Sequence, residues 1–432
     1  MLHLILGGNT EVEKIAIIST RLGGIDGVSI EAGKWAKAYV ALNLKPFFIA
    51  GKYGKVDKRN SYKIEEMDYY HPEISKIRSL AFGKGSSKSR KDLLRLKKSI
   101  NNIKNVIKNK LIDIINKEGI KYLSVENALS IPLNIPLGIA ISEIILEKKI
   151  KAVTRHHDFY WEREEFLKNC VQDILDRYFP PDIEKLEHVV INTIAKKSLY
   201  SKKKIRANYI PNVFDFGVLD DCNKKSENLR QSLNIGRKDY LFLQPTRIIQ
   251  RKKIERSIEL VQELSRKIKE EIYLFITGKP EKDEIDYFYK IKKLSKERKI
   301  NLILSGNYSS QEGFLEKDLF KLYNIYDVYN CCDLVTLPSD VEGFGNPVIE
   351  ACAFRKPLFV NNYPVLKDML SKGFDFIIID KEVGRDCIER VYKVLTDDEC
   401  KLKMLEKNYK IAKRFYSMEV LIEKLKEILN NS

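Results

Sequence analysis

The residue types best suited to chemistry are concentrated between Leu334 and Ala351. Leu334-Val335-Thr336-Leu337-Pro338-Ser339 reads as a buried strand ending in a turn, and Asp340-Val341-Glu342-Gly343-Phe344-Gly345-Asn346-Pro347-Val348-Ile349-Glu350-Ala351 opens the next helix. Gly343 and Gly345, flanking Phe344, let backbone N–H groups approach an anion at a helix N-terminus, where the dipole also favours negative charge; the loop suits a diphosphate. Glu350 lies about two helical turns beyond Glu342. Ionised carboxylates are strong acceptors for O–H donors, so this pair can hold hydroxyls on both sides of the phosphates, one on a sugar and one on a ribose. The plain alternative is an acidic helix start.

Two further groups fit the same chemistry. Arg247 follows the strand Leu241 to Pro245, and Lys252 comes five residues later. Such a cation pair stabilises a departing nucleoside diphosphate as negative charge grows on it; Arg251 and Lys253 are the register alternatives. The run Thr154-Arg155-His156-His157-Asp158-Phe159-Tyr160-Trp161-Glu162-Arg163 gathers polar and aromatic residues at a strand's C-terminal edge, a usual place for a site. Here His156 and His157 are both candidates for a ligand contact. A metal centre is disfavoured: suitably spaced ligands are lacking and no Asp-x-Asp occurs. Glu126 and Asn127 follow another strand and, with Asp26 and Asp158, are placed on the acceptor side or in support. The loop Gly23-Gly24-Ile25-Asp26-Gly27 lacks a complete Gly-x-Gly-x-x-Gly pattern, so a nicotinamide cofactor is poorly supported.

The elements that must position these groups have a regular rhythm. Short apolar runs at Lys14 to Ser19, Pro46 to Ala50, Lys121 to Val125, Ile150 to Thr154 and His188 to Asn192 alternate with helical stretches, as in a parallel α/β sheet. After a break around Tyr209-Ile210-Pro211-Asn212-Val213-Phe214-Asp215, strands recur at Tyr240 to Pro245, Glu271 to Thr277, Ile300 to Ser305, Leu334 to Pro338, Pro357 to Val360 and Phe376 to Ile379. The chain therefore reads as two Rossmann-like domains, 1–215 and 216–411, with the terminal helix 412–432 returning to the first. That helix carries an apolar stripe at Val420, Leu421, Leu425, Ile428 and Leu429 that must be buried.

Composition sets outer bounds. With 432 residues, 44% of them hydrophobic, the chain can bury two large cores. Lys and Arg number 77 against 60 acids, a net charge of +17 that favours anionic partners. Seven cysteines without a Cys-x-x-Cys pair point to a reducing compartment, and hence to the cytoplasm. The start is not a secretory signal and no run is long enough to span a bilayer. Ten Lys or Arg and one acid fall between Gly83 and Lys110, beside apolar residues at helical spacing. This basic face is either simply solvated or a contact for anionic lipid or for a phosphorylated acceptor.

The run from Pro338 to Pro357 resembles the donor-site motif of glycosyltransferase family 4, retaining enzymes of the GT-B fold. The glycine loop, the His-Asp pair, Ile210-Pro211-Asn212, the Arg/Lys pair and Phe415-Tyr416-Ser417 occur in that family's order. The resemblance implies two domains facing across a cleft, with the C-terminal one holding a nucleotide sugar. It implies that Glu342 contacts the donor sugar, Glu350 the ribose, and the amides of Phe344 and Gly345 the diphosphate. It further places Gly24 nearest the donor phosphates and His157 on the sugar. Asn346-Pro347 departs from the commoner residues there. The expected activity is metal-independent, cofactor-free transfer of mannose or glucose from a nucleotide diphosphate sugar to an acceptor hydroxyl, with retention of configuration. The acceptor is a phosphorylated or anionic small glycoside, or a lipid or glycan precursor; peripheral contact with the inner membrane face follows from the basic segment, and nucleic acid is not an expected partner. A GT-B phosphorylase, opposed by Glu350, and a non-enzymatic basic binding protein are the rival classes.

Overall fold

The computed structural model describes residues 12–24, 26–54, 58–83, 89–219, 226–304 and 323–431; Ile25, Lys84, Lys88, Cys222 and Ser305 lie outside the described residues. The chain forms two compact units, Met1–Pro211 with Met418–Ser432, and Asn212–Ser417. It leaves the first at Pro211 and re-enters it at Met418, where the sequence places these crossings after 215 and at 412. The return comes later because Asp398–Tyr416 is one unbroken helix, and extended Ser417 (φ −93°, ψ 169°) separates it from the last helix.

The first unit carries a parallel sheet of seven strands: β1 (Lys14–Leu22), β2 (Lys45–Tyr53), β3 (Ser61–Lys63), β4 (Tyr122–Glu126), β5 (Lys151–His156), β6 (Leu186–Val190) and β7 (Asn208–Tyr209), in the order β3-β2-β1-β4-β5-β6-β7. The central strands are continuous apolar runs because helices cover both faces; Ile15, Ala16, Ile17 and Ile18 of β1 are all buried. Strands β3 and β7 lie outside the apolar runs of the sequence. The helix Gly27–Ala41 is capped by Asp26, whose carboxylate accepts from Ser29 N–H (3.1 Å) and Oγ (2.8 Å). Ser89 caps the 29-residue helix Arg90–Glu118, and Gly119 in the left-handed region (φ 65°) ends it.

That long helix contains most of the basic segment, and much of its charge is answered within the unit. Lys104 and Lys108 meet Glu143 (3.1 and 2.7 Å), Lys108 also meets Glu147 (2.5 Å), Lys110 meets Glu66 and Lys97 meets Asp173 (2.6 Å each). Its apolar face, Ile107, Leu111 and Ile115, joins Ile141, Ile144 and Ile145 of the helix Ile135–Lys148 in one core. The last helix, Met418–Asn431, buries Leu421, Leu425 and Ile428 and packs on the helix Gly27–Ala41.

The second unit repeats the plan with six parallel strands: β8 (Tyr240–Gln244), β9 (Ile272–Ile276), β10 (Asn301–Leu304), β11 (Leu334–Leu337), β12 (Leu358–Asn361) and β13 (Ile377–Ile379), ordered β10-β9-β8-β11-β12-β13. Among the described residues no helix is long and apolar enough to cross a membrane, and Cys170, Cys331, Cys332, Cys352, Cys387 and Cys400 are free thiols.

The packing predicts a contrast on the long helix. Leu111 is 0% exposed and Leu94 is 62% exposed; Leu111→Ala should lower the unfolding free energy by ~2–5 kcal/mol and Leu94→Ala by less than ~0.5 kcal/mol, measured by urea denaturation.

Candidate active site

In each sheet the strand order reverses once, between β1 and β4 and between β8 and β11. Loops leaving the carboxyl ends of such neighbours diverge to opposite faces and leave a crevice for ligand. In the second unit Arg247, Lys252 and Glu342 follow β8 and β11, on either side of its reversal; in the first, Gly24 and Asp26 follow β1 and Glu126 closes β4, while His156 ends the next strand, β5, and His157 follows it.

In the second unit the loop after β8 and the loop after β11 are stitched together. Asp340 N–H donates to the Arg251 carbonyl (3.0 Å), and Arg251 Nη1 donates to the Val341 carbonyl (2.9 Å). Buried Gln244, the last residue of β8, donates from Nε2 to the Lys252 carbonyl (3.1 Å) and so holds the turn Gln250–Lys252. Lys252 thereby points its amine at the Glu342 carboxylate in a direct, largely buried contact. Burial, the largest influence, pushes the Lys252 ammonium below its ordinary range; Glu342 opposes this and the Arg251 guanidinium adds to it.

The neighbouring cations differ in use. Arg251 stands 3.7 Å from Glu342, Lys253 pairs with Asp340 (3.3 Å), and exposed Arg247 pairs with Glu281 after β9. Of the register alternatives, Lys252 is the one buried against the carboxylate.

The helix Asn346–Ala353 starts from Gly345, which is left-handed (φ 95°). A Cβ there would lie 2.3 Å from Tyr363 Oη, which donates to the Phe344 carbonyl (3.0 Å). Glycine is thus required twice, by backbone conformation and by space. The described residues offer no acceptor to the N–H groups of Phe344 and Gly345. Glu350, one turn into the helix, accepts from buried Tyr329 Oη (2.7 Å); burial and then the Glu350 charge push that phenol well up. Asn346 Oδ1 accepts from Asn212 Nδ2 (2.9 Å). Asn212, Tyr329, Tyr363 and Gln244 join this loop beyond the candidate residues that the sequence offers. Only Asn212 carried a sequence signal, its place after Pro211 in the linker.

In the first unit the two adjacent histidines have different surroundings. His156, the last residue of β5, is fully buried; its Nε2 lies 3.0 Å from His188 Nδ1 on β6 and the rings stack at 5.2 Å. Burial pushes its imidazole well down, and brings His188 to about 4. His157 leaves the sheet edge: its N–H donates to Asn127 Oδ1 (3.0 Å), and its Nε2 lies 3.6 Å from Glu126 Oε2. Asn127, itself left-handed (φ 59°), also donates to Asp158 (3.2 Å), which Arg163 holds from the other side. Asp26 is occupied as the helix cap and by Arg21 (3.2 Å), and Gly24 lies just before it. Among the described residues no cluster of three His, Cys, Asp or Glu side chains is arranged to hold a metal.

Comparison with known proteins places this chain in a family. The family described as Glycosyl transferases group 1 matches residues 225–414. Mannosylglucosylglycerate synthase of Petrotoga mobilis is 31% identical over 90% of this chain and 91% of its own length. That of Thermotoga maritima is 30% identical over 94% and 97%. Among solved structures, Anabaena HepE in complex with UDP-glucose superposes with a TM-score of 0.65 at 10% identity, covering 97% of this chain and 100% of that one. The fold is GT-B.

Two outcomes follow from the geometry. Gly345→Ala should cost ~1–3 kcal/mol, read as a fall in thermal midpoint, and adding Tyr363→Phe should recover part of it by removing the hydroxyl. The depressed His188 pKa means that its contribution is fully present above about 6.5, declines as pH falls towards about 4, and changes no further below that. This is worth about 3 kcal/mol for His188 alone. In urea titrations between pH 7.5 and 4, His156→Gln with His188→Gln should flatten the slope; an unchanged slope would contradict a neutral buried pair.

Proposed function

The chain belongs to the group 1 glycosyltransferases, and we propose that it transfers a mannosyl group from a nucleotide diphosphate mannose to a hydroxyl of glucosylglycerate. The observation that carries this reading is the buried Lys252–Glu342 contact at the β8/β11 reversal, in a chain that aligns almost end to end with two proteins named for that product. Glucosylglycerate is a small anionic glycoside, the acceptor class that a net charge of +17 favours.

In this reading the diphosphate lies against the Phe344 and Gly345 amides at the N-terminus of the helix Asn346–Ala353. Lys252 and Arg247 meet the negative charge that develops on the leaving phosphate, a task that otherwise falls to a divalent ion, so no metal and no cofactor is required. Glu342 accepts from hydroxyls of the transferred sugar and Glu350 from the ribose. Lys252, held against Glu342, thus links the sugar subsite to the phosphate subsite. His157 contacts the sugar, with Gly24 allowing close approach of the phosphates. The acceptor hydroxyl attacks the face that the phosphate leaves, which then takes up the proton, so configuration is retained with no protein nucleophile. The free thiols suit action in the cytoplasm. Four lysines of the basic helix pair inside their own unit, and the reading includes no lipid surface.

The test is a panel of GDP-, UDP- and ADP-linked mannose and glucose with glucosylglycerate, in EDTA, with the product anomer read by NMR. One nucleotide mannose should give a product of unchanged anomeric configuration. Lys252→Ala and Glu342→Ala should each lower kcat by ~10²–10³-fold. Absence of mannosyl transfer to glucosylglycerate from every donor would overturn the reading, and phosphate-dependent release of a sugar phosphate would replace it with a phosphorylase.

A further inference from the structure

Beneath His157 lies a line of alternating charges. Lys34 meets Glu31 Oε1 (2.5 Å), Glu31 Oε2 lies 3.7 Å from Arg155 Nη1, and Arg155 Nε and Nη2 converge on Glu126 Oε2 (2.9 and 2.8 Å). That same oxygen faces His157 Nε2 at 3.6 Å. Glu31, Glu126 and Arg155 are each no more than 1% exposed, and the guanidinium is stacked 4.5 Å from the Trp35 ring centroid. Three elements meet at this arginine: the helix Gly27–Ala41 supplies Glu31 and Trp35, β4 supplies Glu126, and β5 supplies Arg155 itself. A buried guanidinium pinned on an aromatic face between two carboxylates has little freedom, so it fixes the rotamer of the carboxylate it forks onto.

Burial alone would push the Glu126 carboxyl up, yet the Arg155 charge and the His157 contact outweigh it and hold it below the ordinary range. Its other oxygen, Oε1, and His157 Nε2 are buried with no hydrogen-bond partner among the described residues. Asp158, the other carboxylate on this loop, is taken up by Asn127 and Arg163. Glu126 is therefore the carboxylate that the imidazole faces. A carboxylate beside one ring nitrogen places the proton there and leaves the other nitrogen as acceptor.

We propose that Arg155 is a positioning residue for the transfer reaction: by forking onto Glu126 it holds that carboxylate against His157 Nε2, so that the imidazole carries its proton on Nε2 and presents Nδ1 to a hydroxyl of the donor sugar. The inference rests on the reading of His157 as the sugar-facing residue. It goes beyond that reading in naming the tautomer and the two buried residues that set it. Without Arg155 the Glu126 carboxylate would be a buried charge with no cation on it and would take up a proton. Arg155→Met should therefore act like Glu126→Gln.

The decisive measurement is 15N NMR of the full chain labelled at histidine, of which there are five, with His157 assigned through His157→Gln. At pH 8.5 the wild type should show His157 in the Nε2–H form. Glu126→Gln and Arg155→Met should each shift the tautomer ratio by about tenfold, and Arg155→Lys should keep most of the wild-type ratio. In the transfer assay Glu126→Gln and Arg155→Met should each lower kcat/KM ~10- to 100-fold, with the double variant no worse than the worse single one. If Arg155→Met does not fold, the double variant, which removes both charges together, should fold and match Glu126→Gln. An unchanged His157 tautomer in a folded Arg155→Met chain, or losses that multiply in the double variant, would overturn the proposal. Failure of every donor in the transfer assay overturns the proposed function instead, while the NMR comparison still decides the tautomer.

Discussion

Parallel strand pairing is the constraint on which the rest depends. Consecutive strands of a parallel sheet cannot be joined by tight turns, so each connection crosses a face and covers it. The faces are thereby closed to ligands, and access is left to the strand ends. In the second unit the loops that carry Lys252 and Glu342 leave the carboxyl ends of β8 and β11, on either side of the order reversal; in the first, the candidate residues stand at the carboxyl ends of β1, β4 and the neighbouring β5. Residues 90 apart in sequence, Lys252 and Glu342, meet for that reason alone.

Buried charge is handled in the same manner in each unit. An isolated ion in the interior is costly, and a cation and a carboxylate together offset much of that cost when their geometry is good. Lys252 against Glu342 and Arg155 against Glu126 are both such pairs, each at the carboxyl end of its sheet. The long basic helix shows the opposite use of charge. Its lysines pair with acids of the unit's own surface, where such contacts contribute little each but leave less free charge for a lipid surface than the sequence alone suggests.

Much of the architecture was legible in residue order. The apolar runs identify eleven of the thirteen strands among the described residues, and the glutamate, glycine and proline spacing between Pro338 and Glu350 marks the turn from β11 into the helix Asn346–Ala353. Strands β3 and β7 escaped because three and two residues at a sheet edge carry no period to detect. The glycine requirement at 345 is also partly readable, since only a helix opening on a left-handed residue asks for it; its second cause, the Tyr363 hydroxyl, is not.

The sequence by itself determined the class of fold, the family resemblance and the set of residue types available for chemistry, because these depend on period and spacing along the chain. Tertiary structure decided which members of each set are usable. A strand expected to stop at Thr154 runs to His156, which buries His156 against His188 and leaves His157 as the first residue beyond the sheet. The turn Gln250–Lys252 points Lys252, rather than Arg251 or Lys253, into the buried contact with Glu342. Arg155, read only as part of a polar run, becomes the centre of an ion cluster because Glu31, Trp35 and Glu126 reach it from separate elements. Burial and pairing are properties of three-dimensional neighbours, and no one-dimensional spacing encodes them.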